Sequence, residues 1–167
     1  MNFVKIETCS IENGTGFRVV LWCSGCSHHC KGCHNPETWD KSCGRPFTEK
    51  EKQILYELLS KEYIRGITFS GGDPLFKANL DDVYALLQDL RRDFPNKDIW
   101  LYTGYTFEEL QRDTDRKKFL PLIDVLIDGR FILEQRDITL AFRGSPNQRI
   151  IDVPATLKEN KIILKMY

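Results

Sequence analysis

The stretch Phe17-Arg18-Val19-Val20-Leu21-Trp22-Cys23-Ser24-Gly25-Cys26-Ser27-His28-His29-Cys30-Lys31-Gly32-Cys33-His34-Asn35 passes directly from an apolar run into a loop dense in thiols and imidazoles. The run 17–22 is rich in β-branched and aromatic residues and predicts a strand. Behind it, four of the six cysteines fall within eleven residues, and all three histidines lie inside or directly beside that window. Six cysteines are too few for a disulfide scaffold in a chain of 167 residues. In a reducing compartment such a cluster reads as metal or redox chemistry.

Outward from this strand and loop, strands alternate with helices. Thr48 and Glu51 form a capping box, and Ile54, Leu55, Leu58 and Leu59 follow at helical spacing. Gly66–Phe69 predicts a short strand running into Ser70-Gly71-Gly72-Asp73-Pro74. A second helix is expected from about Asn79 to Phe94, with Val83, Leu86, Leu87 and Leu90 on one face. Asp98–Tyr102 is the next strand, closed by Thr103-Gly104, and Thr106 and Glu109 form a second capping box. Ile123–Ile127 is a further strand, closed by Asp128-Gly129. Ile150–Val153 and Ile162–Leu164 are weaker candidates for terminal strands. The alternation implies an α/β fold with a mainly parallel sheet, in which ligands sit beyond the carboxyl ends of the strands. Those ends carry the cysteine loop, the Gly-Gly-Asp turn, the Tyr-Thr-Gly turn and the Asp-Gly turn.

Composition narrows the function classes. The length suits one domain over 1–167, with no linker or internal repeat to divide it. Lys and Arg total 24, Asp and Glu 24, so the net charge is zero. That argues against a nucleic-acid partner, which would call for a basic stripe. No stretch approaches the ~20 apolar residues of a membrane span. The start, Met1–Glu7, lacks the apolar core of a signal peptide, so a cytoplasmic location is expected.

The cysteine window admits two ligand sets. All four thiols would suit a closed zinc site or a fully ligated iron–sulfur cluster. Zinc sites usually separate their ligand pairs by ~12–20 residues, whereas only three separate Cys26 from Cys30. Cys23 ends the strand and is placed to pack as a small hydrophobe. The alternative set, Cys26, Cys30 and Cys33, is C-x3-C-x2-C and leaves a fourth cluster corner open, as catalytic metal sites do. Gly71-Gly72-Asp73 suits close backbone approach to a ligand, with Asp73 adding a charge-assisted contact. An ordinary turn is its bland alternative. Thr103 and Gly104 divide evenly between a ligand contact and a turn. His28 and His29 are expected at solvent or supporting the ligands, and Cys9 and Cys43 as isolated thiols. Asp124 and Asp128 flank a strand end, but no nucleophile or histidine is placed to join them in hydrolysis. Residues 68–72 lack the G-x4-G-K-[ST] pattern of a phosphate loop.

On Cys26, Cys30 and Cys33 the window resembles the signature of the radical S-adenosylmethionine superfamily. The run Cys33-His34-Asn35-Pro36-Glu37-Thr38-Trp39 is similar to the activases of glycyl-radical enzymes, above all the branch serving anaerobic ribonucleotide reductase. The likeness extends through Asn13-Gly14, Gly16, Pro46-Phe47-Thr48, residues 70–75, Asp98-Ile99-Trp100, Thr103-Gly104-Tyr105, Asp128-Gly129, Arg143-Gly144-Ser145 and Asn147-Gln148. One departure is Gly32, where many members place an aromatic residue. The tail from about Arg149 is not matched. The resemblance implies a [4Fe-4S] cluster on Cys26, Cys30 and Cys33, with S-adenosylmethionine held by Gly32, Cys33, His34, Gly71, Gly72, Asp73 and Thr103. It implies cleavage of that cofactor to a 5′-deoxyadenosyl radical, which takes a hydrogen atom from a glycine of the large subunit of anaerobic ribonucleoside-triphosphate reductase. No side chain is then needed as a catalytic acid or base. An electron donor such as flavodoxin fits this chemistry. The alternatives are an activase of another glycyl-radical enzyme, such as pyruvate formate-lyase, and a non-catalytic cysteine-rich metal-binding module. The short chain further implies a partial, open (β/α) barrel, since a closed one needs ~250 residues.

Overall fold

The computed structural model describes residues 1–167. Its strands are β1 (Asn2–Ser10), β2 (Phe17–Cys23), β3 (Arg45–Pro46), β4 (Ile64–Gly71), β5 (Asp98–Tyr102), β6 (Val125–Asp128) and β7 (Arg149–Asp152). The α-helices are α1 (Glu49–Leu59), α2 (Leu80–Asp93), α3 (Phe107–Arg112) and α4 (Val153–Glu159). All seven strands form one sheet in the order β3-β1-β2-β4-β5-β6-β7. The central pairs β2–β4, β4–β5 and β5–β6 are parallel. Antiparallel strands flank them: β1 and β3 on one side, β7 on the other. The sheet is mixed and does not close on itself, with β3 and β7 as its edges.

Side chains alternate across a strand, and here the two faces bury different things. Val19, Leu21, Ile67, Phe69, Ile99, Leu101, Leu126 and Ile151 share one core with Leu55 and Leu59 of α1, Val83 and Leu87 of α2, and Phe107 of α3. The alternate residues Trp100, Val125, Ile127 and Ile150 form a smaller cluster with Tyr102 and Phe142 on the opposite face. Arg18 is fully buried on that face, bonded to Thr68 Oγ1 at 2.8 Å and to the Ile67 carbonyl at 2.8 Å, and paired with Asp98. Its guanidinium lies over the Trp100 ring at 5.1 Å.

Both capping boxes form. Glu51 accepts from the Thr48 amide at 2.9 Å, and Thr106 and Glu109 exchange reciprocal bonds of 3.2 and 2.7 Å. Three of the departures from expectation have a visible cause or consequence. The sequence pattern gave no sign of β1, because Lys5, Cys9 and Thr8 face solvent or its margin and break the apolar alternation. The predicted strand 123–127 begins only at Val125. At Asp124 the backbone still donates to the Ile99 carbonyl at 2.9 Å, but the return bond from the Ile99 amide goes to the Asp124 carboxylate at 2.7 Å instead of to a carbonyl of this segment. Residues 162–164 yield a single bridge, Leu164 to Ile151, rather than a strand. The parallel strands point the same way, so the segments after β2, β4, β5 and β6 meet along one edge of the sheet.

Candidate metal and cofactor site

Register sets the site. Cys23 lies opposite Gly71 at the ends of β2 and β4. Beyond them the backbones stay paired: the Gly72 amide donates to the Cys23 carbonyl and the Asp73 amide to the Gly25 carbonyl, both at 2.8 Å. On its other side the cysteine loop is tied to the turn Pro36–Trp39, with the Gly25 amide on the Thr38 carbonyl (2.7 Å) and the Cys26 amide on the Trp39 carbonyl (3.0 Å). Asn79 adds a side-chain bond of 2.8 Å to the Ser24 carbonyl. The first ligand candidate is thus seated between two backbone segments.

All six cysteines are free thiols. Cys23 is fully buried in the helix-side core, and burial pushes its thiol up to about 12. Cys26, Cys30 and Cys33 are half-buried on the loop. Burial raises the Cys26 thiol to about 11 and also raises that of Cys30, against a lowering backbone hydrogen bond from Phe131. The His28 amide donates to Cys26 Sγ and the Asn35 amide to Cys33 Sγ, each at 3.4 Å. Amides aimed at sulfur are what stabilises thiolates bound to iron. No group of three or more His, Cys, Asp or Glu side chains converges on a point suited to one metal ion. A cubane differs in taking each thiolate at a separate corner, and three half-buried thiols with donated amides fit it.

Gly71 and Gly72 are glycine for a reason internal to the protein. A Cβ on Gly71, whose φ is +102°, would stand 2.5 Å from the Cys23 carbonyl oxygen; one on Gly72 would stand 2.5 Å from that of Gly25 and 2.8 Å from that of Thr38. Close approach is made by the cysteine loop itself. Asp73 is 1% exposed. Its carboxylate accepts from the Leu75 amide (2.8 Å), the Thr103 hydroxyl (2.9 Å), the Gly104 amide (3.1 Å) and His28 Nε2 (2.8 Å). These occupy its roughly four acceptor sites. Thr103 is buried and joins this network, while Gly32 and His34 lie exposed on the loop. Gly32, at φ +70°, sits in the left-handed region that favours glycine and rests against the Leu133 side chain of the segment that follows β6.

Of the two histidines between the cysteines, His29 is exposed beside Trp39, with ring centroids 4.8 Å apart. The His28 side chain is only 4% exposed. The Asp128 and Asp124 carboxylates hold structure. Asp128 accepts from the Phe107 amide at 2.8 Å and pairs with Arg149, and Asp124 pairs with Arg91.

The profile of the 4Fe-4S single cluster domain family matches residues 12–151. The chain is 47% identical over 152 residues to the anaerobic ribonucleoside-triphosphate reductase-activating protein of Vibrio cholerae, covering 90% of this chain and 97% of that one. It is 45% identical over 152 residues to the protein of that name from Pasteurella multocida, covering 90% and 96%. Its identity to the one from Enterobacteria phage T4 is 42% over 150 residues, covering 90% and 93%. This chain belongs to the family of anaerobic ribonucleoside-triphosphate reductase-activating proteins. Members of this activating-protein family carry that name across bacteria and a bacteriophage, at nearly full length in each chain. The span matched by the 4Fe-4S single cluster domain profile begins ahead of β2 and ends within β7, so it takes in every segment that meets at the site edge.

Proposed function

We propose that this protein installs a glycyl radical on anaerobic ribonucleoside-triphosphate reductase, using a [4Fe-4S] cluster and S-adenosylmethionine. The observation that carries the reading is the backbone pairing of Cys23 and Gly25, which lead into the Cys26–Cys33 loop, with Gly72 and Asp73 of the Gly71–Asp73 turn, in a chain of the activating-protein family. When bound, cluster and cofactor together supply a 5′-deoxyadenosyl radical that removes a hydrogen atom from a glycine of the reductase large subunit. The chain's own residues ligate, orient and exclude competing reactions. Cys26, Cys30 and Cys33 are the ligands, and the amides of His28 and Asn35 stabilise the thiolates. Gly71, Gly72, Thr103 and Asp73 shape the place where the methionine end of the cofactor is held. Half-buried Cys33, with exposed Gly32 and His34 on either side of it, faces the adenosine end. The open mixed sheet is read as a partial (β/α) barrel acting as a single radical S-adenosylmethionine domain over 1–167. Its open side suits a large protein substrate, which closes the site as it docks. A flavodoxin-type donor supplies the electron. Six free thiols and an oxygen-sensitive cluster suit a reducing cytoplasm. No helix is long and apolar enough to cross a membrane.

The test is anaerobic incubation of the reconstituted protein with the reductase, a reductant and S-adenosylmethionine, watched by electron paramagnetic resonance. A glycyl-radical signal on the reductase is expected. Cys26→Ala, Cys30→Ala and Cys33→Ala should each abolish cofactor cleavage. A colourless protein holding one tight zinc ion would overturn the reading.

A further inference from the structure

We propose that His28 is a positioning residue for this reaction, tying the cysteine loop to the turn that holds the cofactor so that the two keep one geometry. The inference rests on the function proposed above and deepens it. His28 sits between two ligand candidates, and its main chain and side chain do different work. Its amide donates to Cys26 Sγ at 3.4 Å. Its ring leaves the loop and reaches Asp73, 45 residues later in the chain, at 2.8 Å from Nε2 to Oδ2.

The direction of that bond follows from its neighbours. The other partners of the Asp73 carboxylate are two amides and a hydroxyl, and the Thr103 hydroxyl meanwhile accepts from the Tyr105 amide. Asp73 is therefore an acceptor throughout, and His28 Nε2 carries the hydrogen. The ring is boxed in as well as bonded. It meets the Tyr105 ring edge-on at 4.5 Å, and a Cβ on Gly104 would stand 2.4 Å from its Cδ2. Arg116 stacks on the far ring of that pair, 4.5 Å from the Tyr105 centroid, and its Nε donates to the Leu75 carbonyl at 2.9 Å. A closed circuit thus runs from the ligand loop through His28 to Asp73, across to the end of β5, and back to the turn after β4. With all its acceptor positions filled from within, Asp73 acts on a ligand by fixing the Gly71–Asp73 backbone. A buried, fully partnered network of this kind specifies one arrangement, and partners that orient a metal site typically affect it 10- to 100-fold.

Wild type, His28→Leu and His28→Gln are reconstituted anaerobically with iron and sulfide. Two quantities are measured on each: iron and sulfide per chain, and affinity for S-adenosylmethionine read from the change it causes in the paramagnetic resonance spectrum of the reduced cluster. All three should hold the same iron. His28→Leu should bind the cofactor roughly 10- to 100-fold more weakly. His28→Gln, whose amide nitrogen can take the place of Nε2, should recover most of that affinity. Unchanged binding by His28→Leu would overturn the proposal. So would loss of iron from both variants, which would make His28 part of the cluster's own support. Failure of His28→Gln to recover binding would also overturn it, since the imidazole would then be touching the cofactor itself. A wild-type protein that assembles no cluster, or whose cluster ignores S-adenosylmethionine, would sink the underlying function and this proposal with it.

Discussion

Gly72 shows how far a residue's meaning depends on what the fold sets against it. Two adjacent glycines at a strand end suggest close approach by a ligand, yet the nearest atoms to an added Cβ are the carbonyl oxygens of Gly25 and Thr38, which flank the cysteine loop. Gly72→Ala should therefore disturb the cysteine loop as well as the cofactor turn. We expect a loss of about 1–3 kcal/mol in stability from overpacking, together with lowered iron content, measured by thermal unfolding and iron assay. Normal iron content with weakened cofactor binding alone would return the glycine to a ligand-facing role. Cys23 gives the opposite case. It is fully buried among core side chains, so Cys23→Ala should cost about 1 kcal/mol of packing and leave iron per chain unchanged. Loss of the cluster would add it to the ligand set. The spacing of Cys26, Cys30 and Cys33 was legible in the sequence because a tight loop is a local object. The difference between His28 and His29 was not, because burial of His28 depends on Asp73, which only the pairing of β2 with β4 brings near.

Elements with local causes were equally legible: the caps at Thr48 and Thr106, the apolar stripe of α2, and the short central strands all follow from neighbours within one or two turns. β1 was hidden because its register against β2 shifts twice, between Phe3 and Lys5 and between Glu7 and Ser10, so buried and exposed residues do not alternate cleanly along it. The clasp between elements was hidden too, since Arg149 joins Glu108 of α3 to Asp128 at the end of β6 across long chain separations. The hydrogen bonds from Arg149 hold the Glu108 carboxyl down at about 2, below its ordinary 4.5. A carboxyl depressed in the folded state favours folding above its unfolded value, and that contribution is lost as pH falls toward the folded one. Glu108→Gln should therefore lower stability at neutral pH. The pair is partly exposed and solvent screens it, so the loss should be only ~0.2–1 kcal/mol. The gap from wild type should stay level above about pH 4.5 and narrow as pH falls toward 2. Denaturant unfolding of both proteins across that range is the measurement, and a gap that widens in acid would refute the assignment.

At the scale of the molecule, the parallel centre was foreseeable from alternating strands and helices, but not how the face away from the helices is covered. No helix contributes to the cluster of Trp100, Val125, Ile127 and Ile150. Phe142 meets the Trp100 ring edge-on at 5.3 Å, and the end of the chain supplies the rest. The Lys165 amide donates to the Ile150 carbonyl at 2.8 Å and the Asp152 amide to the Ile163 carbonyl at 2.9 Å, so the tail lies along the outer edge of β7. Lys165 pairs with Asp152 at 2.9 Å, and the Thr156 hydroxyl of α4 accepts from the Ile163 amide at 2.9 Å. Tyr167 then reaches over the sheet to pack on both Trp100 and Phe142, at 5.6 and 5.3 Å. The tail thus shields an otherwise bare sheet edge and roofs the smaller core. Ending the chain after Asn160 should cost about 1–3 kcal/mol, the scale of uncovering one large aromatic contact. It should also move the fluorescence of Trp100, which is 1% exposed, toward the emission of a wetted indole. Iron content should hold, because the contacts that seat the cysteine loop come from Thr38, Trp39, Gly72 and Asp73 at the other strand ends. An unshifted thermal midpoint would mean that loop 137–145 alone closes this face.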